Sequence, residues 1–414
     1  MRMRGRRVSL AAANGSAPVG ETPSRWAVVP VLGVTQILAW GTSYYLLAVL
    51  AKPIADDTGW PLAWIVGGLS LGLLVAGLVS PHVGDSIQRF GGRLVLATSA
   101  VLLAIGLTGL AISPNIGVFV ASWVVLGIGM GAGLYDAAFS TLGRIYGKSA
   151  RATITTLTLF GGLASTVCWP LSAVLVSELG WRGTCMAYAG VHLLVLFPLY
   201  LFVLPREASR PGADSADGPR KRRFSLPVPA GSKLLFILIA LVVTISSMIS
   251  ALLSVHLLTI LQTRGMALAS AVALGAMVGP SQVGARAIEM AISRFHHPVW
   301  TKLASVLFVA AGVGLLWSGF PILPLALICY GAGIGIESIA RGTLPLAVFG
   351  EERYPAIMGR IAMPSLVMQA ASPLAGAFLI DHFGATVGLA VLFGLAVANV
   401  LLVAILFVVV HRRG

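Results

Sequence analysis

Residues 62–113 read LAWIVGGLSLGLLVAGLVSPHVGDSIQRFGGRLVLATSAVLLAIGLTGLAIS. Two long apolar runs, 62–82 and 94–113, are separated here by a short segment of glycine, basic and other polar residues. An α-helix of about 20 apolar residues is long enough to cross the hydrocarbon core of a bilayer. The stretch therefore predicts two membrane-spanning helices joined by a short loop.

The same pattern extends in both directions along the chain. The apolar runs are 26–50, 62–82, 94–113, 116–140, 152–177, 182–204, 234–263, 268–292, 303–320, 322–349, 361–381 and 386–410. After the N-terminal tail, the one long polar segment is 205–233, which contains five prolines and the basic run 220–223. This segment divides the twelve runs six and six. We therefore predict an all-α membrane protein of twelve transmembrane helices in two pseudo-symmetric six-helix bundles.

Composition supports a membrane protein and argues against a soluble enzyme. Hydrophobic residues make up 57% of the 414 residues, charged residues only 10%, and the mean hydropathy is +0.93. Soluble domains carry about 25% charged residues, so a surface this apolar requires lipid as its solvent. Cys168, Cys185 and Cys329 all lie in apolar runs, and no glycine-rich phosphate loop is present. We expect no metal, no cofactor and no enzymatic activity.

Basic residues predict the orientation. The net charge is +14, but the lysines and arginines are concentrated in short loops, which argues against a nucleic-acid partner. With the N-terminus inside, 23 of them are cytoplasmic and 3 lie in outer loops. We therefore expect both termini in the cytoplasm of a bacterial inner-membrane protein. The predicted divisions are a disordered cytoplasmic tail at 1–25, bundles at 26–204 and 234–410, and a cytoplasmic linker at 205–233.

The loop between the second and third runs carries a motif. It reads Gly84-Asp85-Ser86-Ile87-Gln88-Arg89-Phe90-Gly91-Gly92-Arg93. This resembles the loop signature Gly-x-x-x-Asp-Arg-x-Gly-x-Arg of the major facilitator superfamily, whose members share the twelve-helix layout. Gln88 replaces the usual aspartate of that signature, and Asp85, about one turn earlier, is the candidate substitute. We interpret the loop as a conformational motif.

Further motifs resemble the monocarboxylate porter branch of that superfamily. They are Asp57-Thr58-Gly59-Trp60 with Trp64-Ile65, Gly127-Ile128-Gly129-Met130-Gly131 with Gly143-Arg144-Ile145-Tyr146, Gly180-Trp181-Arg182-Gly183, Pro373-Leu374-Ala375-Gly376 and Asp381-His382-Phe383-Gly384. Their order and spacing cover the chain from about residue 30 to 400. The resemblance implies secondary transport of a small organic anion by alternating access, coupled to a proton or counter-ion. The oligomeric state is left open.

The eighth run contains three polar residues on one helical face. Gln282, Arg286 and Glu289 fall at i, i+4 and i+7. The resemblance implies that Arg286 binds a substrate carboxylate, for which its planar guanidinium is suited. Gln282 occupies the position of the branch's proton-binding aspartate, so substrate binding carries over better than proton coupling. The alternative is that Arg286 pairs with Glu289 or extends towards the cytoplasm.

Three other charges lie inside apolar runs, where each one needs a reason. Glu337 and Arg341 are four residues apart, a spacing that favours a structural ion pair on one helix. The functional alternative is that Glu337 acts as a proton or gating site, and Arg341 and Glu289 are further candidates for that role. Asp136 is the buried acid of the first half. Three alternatives are open for it, namely that it binds a proton, that it pairs with an arginine of the other half, or that it is half-solvated.

The first run contains Trp40-Gly41-Thr42-Ser43-Tyr44-Tyr45. The porters that the chain resembles have a lysine near the position of Tyr45. The resemblance therefore implies that this chain lacks a second positive charge at that point. Tyr44 and Tyr45 are candidate substrate-binding residues for a larger or less acidic cargo. The expected function is transport of a small organic anion, a monocarboxylate in particular. The alternative on the same fold is an exporter of a hydrophobic or cationic compound.

Overall fold

The computed structural model describes residues 24–206, 228 and 231–412. Within these residues the chain is helical and contains no β-strand. The helices are α1 Arg25–Gly41, α2 Leu47–Thr58, α3 Leu62–Phe90, α4 Gly92–Ala111, α5 Ile116–Gly133, α6 Tyr135–Tyr146, α7 Ala150–Gly162, α8 Ala164–Val191, α9 Phe197–Val203, α10 Lys233–Gln262, α11 Leu268–Gly275, α12 Val278–Ile292, α13 Pro298–Trp317, α14 Leu323–Phe349 and α15 Tyr354–His411. Most of the predicted tail and linker lies outside the described residues, so the predicted domain limits stay predictions.

These helices make twelve crossings, as predicted. Eight segments of the described chain are long and apolar enough to span a membrane, and two of them, Ile116–Val203 and Tyr354–His411, contain more than one crossing. The chain turns inside α8 at Gly180 and inside α15 at Gly384, whose φ angles of 66° and 84° favour glycine. The first crossing consists of α1 and α2 and is not among these eight segments. Residues 42–46 interrupt it, so that neither helix alone is long enough to span a membrane. Six crossings lie in each half of the chain.

Glycines let helices pack closely within each half. A Cβ atom at Gly127 of α5 would overlap the backbone carbonyl of Gly72 in α3. In the second half, a Cβ at Gly335 of α14 would overlap the backbone of Gln282 in α12. At both positions the absence of a side chain lets two helices come into backbone contact.

Polar contacts between the halves cluster towards one end of the bundle. We call the end where α1 begins and α15 ends the termini face, and the other end the opposite face. Near the termini face, Arg360 of α15 binds Asp85 of α3, and Gln88 donates to the carbonyl of Glu352. A Cβ at Gly84 would overlap the carbonyl of Pro355, so α3 and α15 touch there.

Two sequence-based boundaries are wrong in an informative way. The ninth crossing was expected at 303–320 but begins at Pro298, so Lys302 lies inside α13 and is buried. The eleventh was expected at 361–381 but begins at Tyr354, so Arg360 lies inside α15. Each side chain has a carboxylate partner, which lets the helix continue through a charged position. Both residues were counted as loop charges in the orientation argument.

Candidate functional site

Arg286 lies on α12, and its side chain is directed into the protein rather than towards lipid. The residue is only 6% exposed. Its Nε donates to the carbonyl of Gly335 at 3.2 Å, and its Nη1 donates across the interface to the carbonyl of Thr158 at 3.0 Å. Its Nη2 donates to Oε1 of Gln282 at 3.3 Å. All three acceptors are neutral, and no carboxylate of the described chain lies within ion-pair distance of Arg286.

The alternative pairing of Arg286 with Glu289 is not formed. Glu289 is 4% exposed and accepts a hydrogen bond from Thr301 Oγ1 at 2.7 Å. It also lies 3.5 Å from Nε2 of His296, whose carbonyl accepts from Arg151 of the first half. Glu289 therefore belongs to a polar cluster at the termini face, although it shares a helix with Arg286.

His297 lies in this cluster at the start of α13, outside the crossing. Its Nδ1 accepts the backbone N–H of Val299 at 3.2 Å, which requires an unprotonated ring nitrogen. Burial lowers the pKa of His297, and the nearby positive charge of Arg151 lowers it further. The histidine is therefore held in its neutral form as a cap for α13.

Aromatic rings from three helices converge beside Arg286. We call Trp40, Tyr44, Tyr45, Tyr135 and Trp169 the aromatic cluster. The ring centroids of Trp40 lie 5.0 Å from Tyr135, 5.2 Å from Tyr44 and 6.2 Å from Tyr45. Tyr45 in turn lies 6.1 Å from Trp169. The turn at 42–46 directs Tyr44 and Tyr45 towards these rings, which form a continuous path.

The aromatic cluster and the guanidinium are adjacent. The Tyr135 hydroxyl donates to the carbonyl of Thr158 at 3.4 Å, and this is the same oxygen that accepts from Arg286. Arg286 is also close enough to Tyr45 to act electrostatically on its hydroxyl. From the second half, Gln369 donates to the Tyr44 hydroxyl at 3.4 Å. One wall of the site is therefore aromatic, and the other is cationic and polar.

A cleft of about 440 Å³ adjoins this site. It is lined by Ala48, Val49, Ser165, Thr166, Trp169, Pro170 and Ala173. These residues are mostly apolar and come from α2 and α8. Trp169 belongs both to the cleft and to the aromatic cluster, so it connects the two. The volume falls in the range of small-molecule sites.

Glu337 and Arg341 do not form the predicted pair on α14. Glu337 is bound instead by Lys302 of α13, which contacts both of its carboxylate oxygens. Ser305 also donates to Glu337 at 2.8 Å, and Lys302 donates to Ser246 at 3.1 Å. The expectation of a structural pair within one helix was wrong because a neighbouring helix supplies a closer cation.

Arg341 reaches across the interface to Asp136 of α6. Its Nε and Nη2 donate to the two carboxylate oxygens of Asp136 at 2.9 and 2.8 Å, a bidentate geometry. Its Nη1 also donates to Ser365 at 3.1 Å. Of the three readings of Asp136, the structure favours a pair with an arginine of the other half. Lys302 with Glu337 and Arg341 with Asp136 are therefore two separate ion pairs, the first within the second half and the other between the halves.

The loop motif lies at the termini face, where α3 meets α15. Asp85 binds Nη1 and Nη2 of Arg360 at 2.8 and 3.2 Å, so an acid of this loop does pair with a base of the other half. Gln88 makes a neutral contact, donating to the carbonyl of Glu352 at 2.6 Å. Arg89 lies in the last turn of α3, Gly91 ends that helix at φ 86°, and Arg93 lies in the first turn of α4.

Sequence reasoning missed three residues of this site. Lys302 was counted in a loop, and Trp169 and Tyr135 received no role. Pro298 could have placed Lys302, because proline favours the first helical position and the helix therefore begins before the lysine. Nothing in the sequence pattern shows that Trp169 faces Tyr45, since that contact joins different helices.

Comparisons with known proteins agree with this fold. A family model described as Major Facilitator Superfamily matches residues 32–363. The chain is 28% identical over 133 residues to monocarboxylate transporter 6 of Homo sapiens, covering 32% of this chain and 25% of that protein. It is 27% identical over 182 residues to the 3-(3-hydroxy-phenyl)propionate transporter of Escherichia coli K12, covering 42% of each.

Among solved structures, the human organic anion transporter MFSD10 superposes with a TM-score of 0.72 at 18% identity. The superposition covers 92% of this chain and all of that one, and at this identity it bears on the fold alone. The chain spans less than half the length of the curated relatives that it matches.

Proposed function

The chain belongs to the major facilitator superfamily, and from that premise we propose that it carries a small organic anion, specifically a monocarboxylate, by proton-coupled alternating access. One observation carries the proposal. Arg286 is buried, and the three acceptors of its hydrogen bonds are neutral. A buried cation without a counter-ion is costly in a membrane, and a carboxylate cargo would supply the missing charge.

Three other bases of the membrane-spanning helices provide the contrast. Lys302, Arg341 and Arg360 each have a carboxylate partner among the described residues. Arg286 has no such partner among these residues. Its planar guanidinium can donate two parallel hydrogen bonds to one carboxylate. Two relatives whose names denote a carboxylate cargo, one a monocarboxylate and one an aromatic propionate, agree with this class.

The alternative is an exporter of a hydrophobic or cationic compound. Gln282 and Tyr45 support it, because the related porters have an aspartate and a lysine there and the site here is less polar. Counterflow in proteoliposomes separates the two functions. Loaded vesicles should exchange labelled monocarboxylates, whereas an exporter of cations would exchange organic cations and ignore carboxylates.

We further propose that Asp136 is the proton-binding site. Its carboxylate holds Arg341 across the interface, so protonation would remove the charge that joins the halves near the termini face. Arg341 could then turn to Glu337, one helical turn earlier on α14. Of the other acids, Glu337 is engaged by Lys302, and the carboxylate of Glu289 contacts Thr301 and His296 of the second half.

Asp136→Asn tests this assignment, because the amide resembles the protonated acid and cannot lose a proton. We expect accumulation driven by a pH gradient to be lost, while counterflow, which needs no net proton movement, continues. Uptake assays with and without an imposed gradient measure both quantities. Glu289→Gln serves as the matched control and should keep both. Undiminished gradient-driven accumulation in Asp136→Asn would contradict the assignment, and loss of it in Glu289→Gln would transfer the role to Glu289.

The chain is a multi-pass membrane protein, and we propose that its termini face is cytoplasmic in a bacterial inner membrane. The support is the excess of lysine and arginine in the segments on that side. Lys302 and Arg360 lie in helices instead of loops. When both are left out of the count, the excess of lysine and arginine on that side remains large. A reporter fused after Gly414 is expected to be active only if it functions in the cytoplasm. Activity of a periplasm-specific reporter at that position would reverse the orientation.

A further inference from the structure

We infer that the cargo carries an aromatic ring as well as its carboxylate, so that the site selects arylalkyl monocarboxylates over small aliphatic ones. This inference rests on the proposed function. The aromatic cluster lies directly beside the guanidinium, since Tyr135 and Arg286 share the carbonyl of Thr158. A cargo bound through its carboxylate at Arg286 would therefore place its other end against aromatic rings.

Packing among the residues of the aromatic cluster leaves part of each of them exposed. Trp169 is 45% exposed, and Trp40, Tyr44, Tyr45 and Tyr135 are each half-buried. Neighbouring centroids lie 5.0–6.2 Å apart. Ring pairs favour this range of distances in offset or edge-to-face arrangements, and a cargo ring can add further pairs of this kind. A saturated ring or a short alkyl chain gains only the burial of its surface.

Charge decides between an aromatic anion and a cation. Aromatic surfaces also attract organic cations, so the aromatic cluster alone would fit either. The positive charge of Arg286, however, lies beside the aromatic cluster, because Arg286 and Tyr135 donate to the same carbonyl of Thr158. Asp136, the acid next to Tyr135 in sequence, is bound at both oxygens by Arg341. The cluster therefore lies in a positive field that repels a cation and attracts an anion.

One further group fits a substituted ring. The indole nitrogen of Trp40 is shielded from solvent, and its N–H has no acceptor among the described residues. Buried donors normally find a partner, and this one lies in the middle of the aromatic cluster. A ring substituent that accepts a hydrogen bond would satisfy it.

The test compares three carboxylates in counterflow with the full-length protein in proteoliposomes. They are 3-phenylpropionate, 3-cyclohexylpropionate and propionate, which differ in the ring but share the acid. We expect 3-phenylpropionate to compete roughly ten-fold better than its saturated counterpart, as one or two added ring contacts would give. Propionate should compete more weakly still.

Variants tie the preference to the aromatic cluster. Trp40→Leu and Tyr45→Leu should each reduce the preference for the phenyl ring. Trp317→Leu, which removes an aromatic residue stacked on Phe393 in the second half, away from the aromatic cluster, should leave the preference unchanged. Equal competition by all three acids in the wild-type protein would overturn the aromatic inference but leave the carboxylate function standing. Failure of all three to exchange would overturn both.

Discussion

Replacement of Arg286 by alanine is expected to abolish monocarboxylate counterflow while leaving membrane insertion intact. Among the described residues the guanidinium has no carboxylate partner, so its removal takes away a cation that those residues do not need for their own charge balance. Charge-assisted hydrogen bonds to a cargo contribute about 1.5–3 kcal/mol, or roughly a ten- to a hundred-fold change in affinity. Loss of two such bonds reduces exchange to the level of empty vesicles.

Two variants distinguish binding from a merely structural role. Arg286→Lys keeps the charge but loses the fork, so the cargo should bind more weakly and still be transported. Glu289→Gln alters an acid on the same helix that contacts Thr301 and His296 instead of Arg286, and it should be much milder. If correctly inserted Arg286→Ala transports at the wild-type rate with unchanged affinity, the carboxylate hypothesis fails and the exporter alternative takes its place.

The fold could be predicted from the sequence because its determinants are local. Each crossing is a continuous apolar run, and hydropathy along the chain records such runs directly. The errors occur where a charge interrupts an apolar run. Lys302 and Arg360 were assigned to loops because their carboxylate partners lie on other helices.

The candidate site was harder to predict from the sequence, again because its contacts join different helices. Helical spacing correctly grouped Gln282 with Arg286, because the two lie one turn apart on α12. It wrongly paired Glu337 with Arg341, because residues four apart on a helix can interact but a tertiary partner can be closer. A single sequence carries no signal for which helices are neighbours. The contact between Arg341 and Asp136 therefore stood as only one of several alternatives for that acid.

Replacement of Lys302 by methionine is expected to lower the stability of the protein strongly. Its side chain is 1% exposed, and its ammonium contacts both oxygens of Glu337. Removing one member of a buried ion pair leaves the other charge uncompensated and costs about 3–5 kcal/mol. Methionine matches the length and apolar stem of lysine, so packing changes little. We expect a lower midpoint of thermal unfolding for the detergent-solubilised protein.

The double variant Lys302→Met with Glu337→Gln isolates the charge effect from packing. It removes both members of the pair, so no net charge is left buried, and it should recover most of the stability lost in Lys302→Met. Lys52→Met is the matched control, because Lys52 and Asp56 form a pair of similar type that is 81% and 63% exposed. An exposed pair contributes about 0–1 kcal/mol, so its loss should be close to undetectable. If Lys302→Met is as stable as Lys52→Met, or if the double variant is no better than Lys302→Met alone, then Glu337 does not depend on Lys302 for its charge. Arg341 would then be the cation that compensates Glu337, and its bond to Asp136 could not be the fixed link between the halves.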